Sequence, residues 1–300
     1  MGGAPTGRVS HLLSLAGPRA RTMTARLATH ADVTARAPEV LQRLVAAGVD
    51  VEPVSTGAPP DADPITGLKE HGADLAIVGV GALRGTDTEG LTMLAVLPRE
   101  DPRDVLVTLQ GEPASLAGLP PHVRVGVAGP RRRALLAAHR PDLEAVALPT
   151  ETHSGRRFEG VLHAAVLGLG EARRAGLGRR TAEVLDPRAW LPEPGQGVVA
   201  LMARHPIAEV TALDHLPTRT ALRAELALLD ALRVDPDAAL GCVAQPSGRL
   251  VRLWAAVASP DGRRFVRSDL TAPLDEAELL GAAVARQLRE RGAEIARSAG

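Results

Sequence analysis

The sequence predicts an α/β fold of layered sheets and helices, followed by a small C-terminal α+β domain. Three observations predict it. Apolar β-type runs alternate with helix-type segments through most of the chain. Residues 73–80 (ADLAIVGV) form a nearly continuous apolar run, which suits a strand covered on both faces of a parallel sheet. Near residue 216 the pattern changes to an Ala/Leu-rich helix, a hairpin and a long terminal helix. At 300 residues the chain is long enough for two or three domains.

The elements follow in order. Residues 25–29 read as a short strand. Residues 34–47 have helical spacing, with Val40, Leu41, Leu44 and Val45 on one face and Gly48 as the stop. Strands are expected at 49–54, 73–80, 91–97 and 105–109. The strand 122–128 leads through Gly129-Pro130 into a helix over 131–138, and 144–148 is another strand. A helix is expected over 161–174 and a strand over 196–202. Beyond them lie a helix over 218–232, a strand over 250–257, a turn at Ser259-Pro260-Asp261-Gly262, its partner over 263–268, and a helix over 274–291.

Composition excludes several classes. The chain is 45% hydrophobic and 23% charged, enough to bury a core. It has no Tyr, no Asn, two Phe, two Trp and one Lys (Lys69), so 34 of its 35 basic residues are Arg. This reads as GC-rich coding bias, and it leaves the core to Leu, Val and Ala. The formal net charge is zero, so neither nucleic acid nor an acidic membrane surface is expected as a partner. A single cysteine, Cys242, excludes a disulfide framework and multi-cysteine metal sites, and the histidines lack metal spacing, so no metal is expected. No apolar run approaches the ~18 residues of a membrane span. The stretch at 11–16 is too short for a signal peptide, so a cytoplasmic protein is expected, with residues 1–22 a loose extension.

The clearest chemical signal is Gly126-Val-Ala-Gly129-Pro130-Arg131-Arg132-Arg133. A strand ends in a small-residue turn and a helix opens on Pro, so free N–H groups and the helix dipole face the turn. Adding arginines makes a place for carboxylates or phosphates. A solvated arginine cluster explains the same residues equally well. His153, Arg156 and Arg157 follow the next strand, at an expected ligand-binding edge of the sheet. Cys242 sits among turn formers, Leu240-Gly241-Cys242-Val243-Ala244-Gln245-Pro246-Ser247-Gly248, which suggests an exposed loop and a thiol able to anchor a group covalently. A small buried hydrophobe is the commoner role for a lone cysteine.

Taken together, several segments resemble porphobilinogen deaminase (hydroxymethylbilane synthase). Leu97-Pro-Arg-Glu-Asp-Pro-Arg-Asp-Val-Leu-Val107 is close to that family's LPREDPRDALV, and Leu191-Pro-Glu-Pro-Gly-Gln-Gly197 to its LPAPGQG. Asp74-Leu-Ala-Ile-Val78, Arg140-Pro-Asp-Leu-Glu144, Ala182-Glu-Val-Leu-Asp-Pro187 and Val257-Ala-Ser-Pro-Asp-Gly262 also match, and the Cys242 segment lies where the family has G-G-C-Q-x-P-x-G. The order is collinear from about residue 25 to the end.

The resemblance implies two periplasmic-binding-protein-like α/β domains with a cleft, plus a small α+β domain carrying the cysteine loop. It places the first domain at 23–103 plus about 196–215, the second at 104–195 and the third at 216–300. It implies a monomeric transferase of tetrapyrrole (porphyrin, heme) biosynthesis. Four porphobilinogen molecules would condense to hydroxymethylbilane, with loss of ammonia, on a dipyrromethane cofactor held through Cys242. Arg131, Arg132 and Thr29 match cofactor-binding positions. His30 stands where the family has an arginine, and His153 and Arg156 are further substrate-binding candidates. The catalytic aspartate position is Ala82 and the lysine position is Gly81, with Asp87 a weak substitute further along the loop. Full activity, a degenerate paralogue that binds a carboxylated pyrrole, and a solute-binding module taking a small polycarboxylate in the cleft are the readings this leaves.

Overall fold

The computed structural model describes residues 23–29, 36–54, 64–70, 72–83, 85–108, 114–148, 162–233 and 238–292. His30, His153, Arg156, Arg157 and the 1–22 extension lie outside the described residues.

The first sheet takes β1 (Met23–Thr29), β2 (Val49–Pro53), β3 (Leu75–Gly79) and β4 (Thr92–Val96). The second takes β5 (Asp104–Thr108), β6 (Arg124–Val127), β7 (Glu144–Ala147), β8 (Ala164–Gly168) and β9 (Thr181–Val184), and β10 (Val199–Ala203) returns to the first. The strand orders are β2-β1-β3-β10-β4 and β7-β6-β8-β5-β9. In each sheet four strands run in one direction, and the crossing strand, β10 or β5, runs antiparallel to its neighbours. The chain therefore crosses between the sheets twice, between β4 and β5 and between β9 and β10. β3, β5, β8 and β10 are buried at every residue, as central strands should be.

Short helices cover the sheets: α1 (Ala37–Ala46), α2 (Pro64–Lys69), α3 (Gly129–His139), α4 (Leu169–Arg174) and α5 (Ala208–Thr211). The third unit packs α6 (Leu216–Leu232) and α7 (Ala277–Glu290) on an antiparallel sheet of β11 (Ala239–Ser247), β12 (Leu250–Ala258) and β13 (Phe265–Pro273). α6 and α7 approach closely at Gly281, where a Cβ would lie 2.4 Å from the Ala224 carbonyl oxygen.

Four expectations are corrected. The helix expected over 161–174 is strand β8 followed by the short α4. Its Ala-Ala-Val-Leu run is fully buried between β5 and β6, and that burial outweighs alanine's helix preference. The segment around Cys242 is strand β11 rather than an exposed loop, because it pairs along its whole length with β12. Val45 is 57% exposed, since it lies to one side of the stripe that Val40 and Leu44 bury. The strand expected at 263–268 runs from Phe265 to Pro273, carried on by its pairing with all of β12.

Candidate functional site

The crossover at residues 191–198 (LPEPGQGV) is where the candidate residues meet. Its backbone touches all three features singled out above. The Leu191 carbonyl accepts from Arg131 Nη1 at 2.8 Å, and the Pro192 carbonyl accepts from the Cys242 N–H at 2.9 Å. Gly195 lies against Val80, at the start of the turn carrying Gly81 and Ala82; a Cβ there would come within 2.6 Å of Val80 Cγ1. Gly195 also has φ +73°, so only glycine serves both needs.

Arg131 and Arg132 occupy the first turn of α3, as the Gly-Pro turn predicts, but neither is an open cation. They are 6% and 9% exposed and converge on Asp104, which is fully buried. Arg131 Nη1 lies 2.8 Å from Asp104 Oδ2, and Arg132 Nη2 lies 3.0 Å from Oδ1. Trp190 Nε1 donates to Oδ2 at 3.0 Å, and Gln196 Nε2 to Oδ1 at 2.8 Å. Gln196 Oε1 in turn accepts from Arg131 Nη2 at 3.2 Å. Burial alone would push the Asp104 carboxyl up, but the two guanidinium groups outweigh it and hold it well below the usual carboxylate range. Arg132 is raised in turn: desolvation opposes its charge, and Asp104 and Glu171 more than compensate.

A second buried acid docks the third unit onto the same crossover. Glu225, on α6, is fully buried. It accepts from Arg99 Nη1 at 2.5 Å, from the Gly195 N–H at 2.7 Å and from the Ala244 N–H at 2.8 Å. Asp104, Glu225, Arg99, Trp190 and Gln196 were not among the sequence candidates. A signal existed for the acids: Asp104 heads an apolar strand segment and Glu225 interrupts an Ala/Leu-rich helix, and such charges are buried only when paired.

The remaining candidates are placed as follows. Thr29 ends β1 beside Ile77 of β3, at the strand edge next to the 80–83 turn. Ala82 is exposed in that turn and supplies no acid. Asp87 does not replace one: its side chain is 73% exposed, paired with Lys69 Nζ and accepting the Glu89 N–H at 2.9 Å. Those bonds, the lysine's first, hold its carboxyl below the ordinary value. Cys242 is fully buried on the face of β11 that packs against α6 and α7, with Leu240 and Ala244. No helix of the described residues is long and apolar enough to cross a membrane, and those residues include no group of three metal-ligating side chains.

Residues 66–212 match the family described as porphobilinogen deaminase, dipyrromethane cofactor binding domain. The porphobilinogen deaminase of Thermobifida fusca is 38% identical over 237 residues, covering 74% of this chain and 73% of that protein. The protein of the same name from Moorella thermoacetica is 36% identical over 232 residues, covering 75% and 74%. The chain belongs to the porphobilinogen deaminase family. A periplasmic substrate-binding protein from Coxiella burnetii superposes with a TM-score of 0.45 at 15% identity, over 63% of this chain and 89% of that chain.

The matched family domain is one that binds dipyrromethane, so the residues can be tested against that group. The arginine pair has the right chemistry for acid side chains, although Asp104 now takes both. The thiol does not fit: Cys242 faces the core of its own unit, away from the crossover its backbone touches. No step through an attached cofactor follows from this conformation.

Proposed function

We propose that the chain is a porphobilinogen deaminase-like transferase of tetrapyrrole biosynthesis that binds carboxylated pyrrole between its two sheets, with weak or lost turnover to hydroxymethylbilane. One observation carries this reading. The Val80–Leu83 turn, the Arg131/Arg132 pair and the Cys242 strand, far apart in sequence, all abut the crossover at 191–198. Within that arrangement Arg131 and Arg132 would bind and orient acid side chains. Ala82 leaves the developing cation of the reacting pyrrole without its acid. Loss of one dominant electrostatic stabiliser typically costs about 10²–10³ in rate.

A second reading is a pyrrole- or polycarboxylate-binding paralogue with no turnover. The burial of Cys242 favours it. Intact mass of the purified protein separates the two. An adduct of two pyrrole units, mapped to the Cys242 peptide, supports the transferase. An unmodified chain from a host making normal tetrapyrroles sinks it. An adduct with no porphobilinogen consumption leaves binding alone.

A further inference from the structure

We propose that the cavity between α1 and α4 is a carboxylate-binding subsite whose principal ligand is Arg36. The cavity measures about 180 Å³ and is lined by Arg36, Glu39, Glu100, Asp101, Arg173 and Arg174. α1 covers the first sheet, α4 follows a strand of the second, and Glu100 and Asp101 lie on the crossover between β4 and β5. The cavity therefore lies between a helix of each sheet layer and the crossover that joins them.

Arg36 is the anomaly there. It precedes the first residue of α1, and its side chain is 7% exposed. Its Nε and Nη1 are buried and have no hydrogen-bond partner among the described residues. Among the described residues its Nη2 donates to Glu39 at 3.4 Å, and Nε stands 3.4 Å from Glu100 without bonding it. Unmet donors on a buried guanidinium are costly, and such a group in a folded chain calls for an explanation such as a bound ion.

Charge points to the sign of that ion. Glu39 is held by Arg43 at 3.1 Å, and Asp101 by Arg103 at 2.6 Å. That leaves Arg36, Arg173 and Arg174 around Glu100, whose carboxylate meets Arg174 Nη1 at 3.1 Å. Cations outnumber the acids left to face them. Gly170 keeps the space clear: a Cβ there would stand 2.7 Å from Glu100 Oε2 and 3.0 Å from Arg174 Nη1. Room for about six waters at ~30 Å³ each is enough to admit an acid side arm. On the function proposed above, on which the choice of carboxylate rests, that arm is an acid group of the bound pyrrole, and Glu100 is the internal carboxylate it displaces.

The test uses succinate as probe, titrated calorimetrically into the full chain, with inorganic phosphate and sodium chloride at matched ionic strength alongside. Arg36→Gln should weaken succinate about 10- to 100-fold, the worth of a charged hydrogen bond. Arg36→Lys should recover part of that. Arg263→Gln, an exposed residue far from the cavity, should change nothing. Should Arg36→Gln fold poorly, Arg174→Gln, at a partly exposed side chain, provides the same comparison. Equal succinate binding by wild type and Arg36→Gln overturns the subsite, as does succinate acting no better than sodium chloride. Preference for phosphate over succinate overturns the carboxylate assignment. An unmodified Cys242 together with Arg36-dependent succinate binding would sink the transferase reading and leave the subsite standing.

Discussion

Replacing Asp104 with Asn should destabilise the protein more than any other single isosteric change at the crossover. The side chain keeps its volume, so no cavity forms. What is lost is the one negative charge that Arg131 and Arg132 share, both of them more than nine-tenths buried. The amide also brings an N–H₂ into a shell made of donors: the two arginines, Trp190 Nε1 and Gln196 Nε2. Removing one partner of a buried ion pair costs about 3–5 kcal/mol, because a charge is left without compensation. Against a typical stability of about 5–15 kcal/mol, that is a large share. Trp190 donates directly to Asp104, and the other tryptophan is Trp254. Urea unfolding followed by fluorescence in a Trp254→Phe background therefore reports on the altered cluster. With a slope near 2 kcal/mol per M, the midpoint should fall by about 2 M. The double variant with Arg132→Gln should recover part of the loss, since it removes one of the stranded charges. A loss below about 1 kcal/mol, or strictly additive losses in the double variant, would refute the claim that Asp104 compensates both arginines.

Other outcomes follow from the same geometry. Ala82→Asp, at an exposed turn position with space for the larger side chain, should raise porphobilinogen turnover by up to about 10²–10³; no gain would mean that the cleft serves another ligand. Gly241→Ala should loosen the third unit from the crossover, because its Cβ would stand 2.8 Å from the Leu191 carbonyl oxygen. About 1–3 kcal/mol is expected in chemical denaturation, and an unchanged midpoint would count against close packing there. Thermal stability should hold from neutral pH down to about 4 and fall below it. Asp104 and Asp74 are both held down in the folded state, Asp74 to about 2 chiefly by its bonds to Arg26. Their contribution is therefore complete above the unfolded value of ~3.9 and lost as pH drops toward the folded one. A melting temperature unchanged between pH 4 and pH 2 would contradict this.

Most of the architecture could be read from the chain because its strands announce themselves. ADLAIVGV suits a doubly covered strand, and the Gly129-Pro130 step after β6 suits a helix start, and both form. What could not be read depended on partners distant in sequence. Residues 164–168 are as consistent with a helix as with a strand until β5 and β6 close on either side. Arg131 and Arg132 are legible as a pair, yet their shared acid lies more than 25 positions away on another strand. Nothing local distinguishes a guanidinium that awaits a ligand from one already satisfied by the chain itself.

Cys242 shows how small a change separates those outcomes. The pattern G-G-C-Q-x-P-x-G leaves two residues between Cys and Pro, whereas here Val243, Ala244 and Gln245 intervene. In a strand successive side chains point to opposite faces, so one extra residue ahead of the fixed hairpin at Gly248 moves everything before it to the other face. β11 is paired without a bulge to β12 from Ala239 to Ser247, so nothing absorbs the shift. Leu240, Cys242 and Ala244 consequently line the core beneath α6 and α7. Gly241 meets Leu191, and Val243 faces a cavity of about 440 Å³ beside the crossover that also borders Arg99, Arg103 and Trp254. Presenting the thiol to a pyrrole would require β11 to slip by one residue or to form a bulge. A slip would also break the Ala244 N–H bond to Glu225, which ties the strand to Arg99 and Gly195. Glu225 therefore ties β11 to the crossover in the register that keeps the thiol in the core.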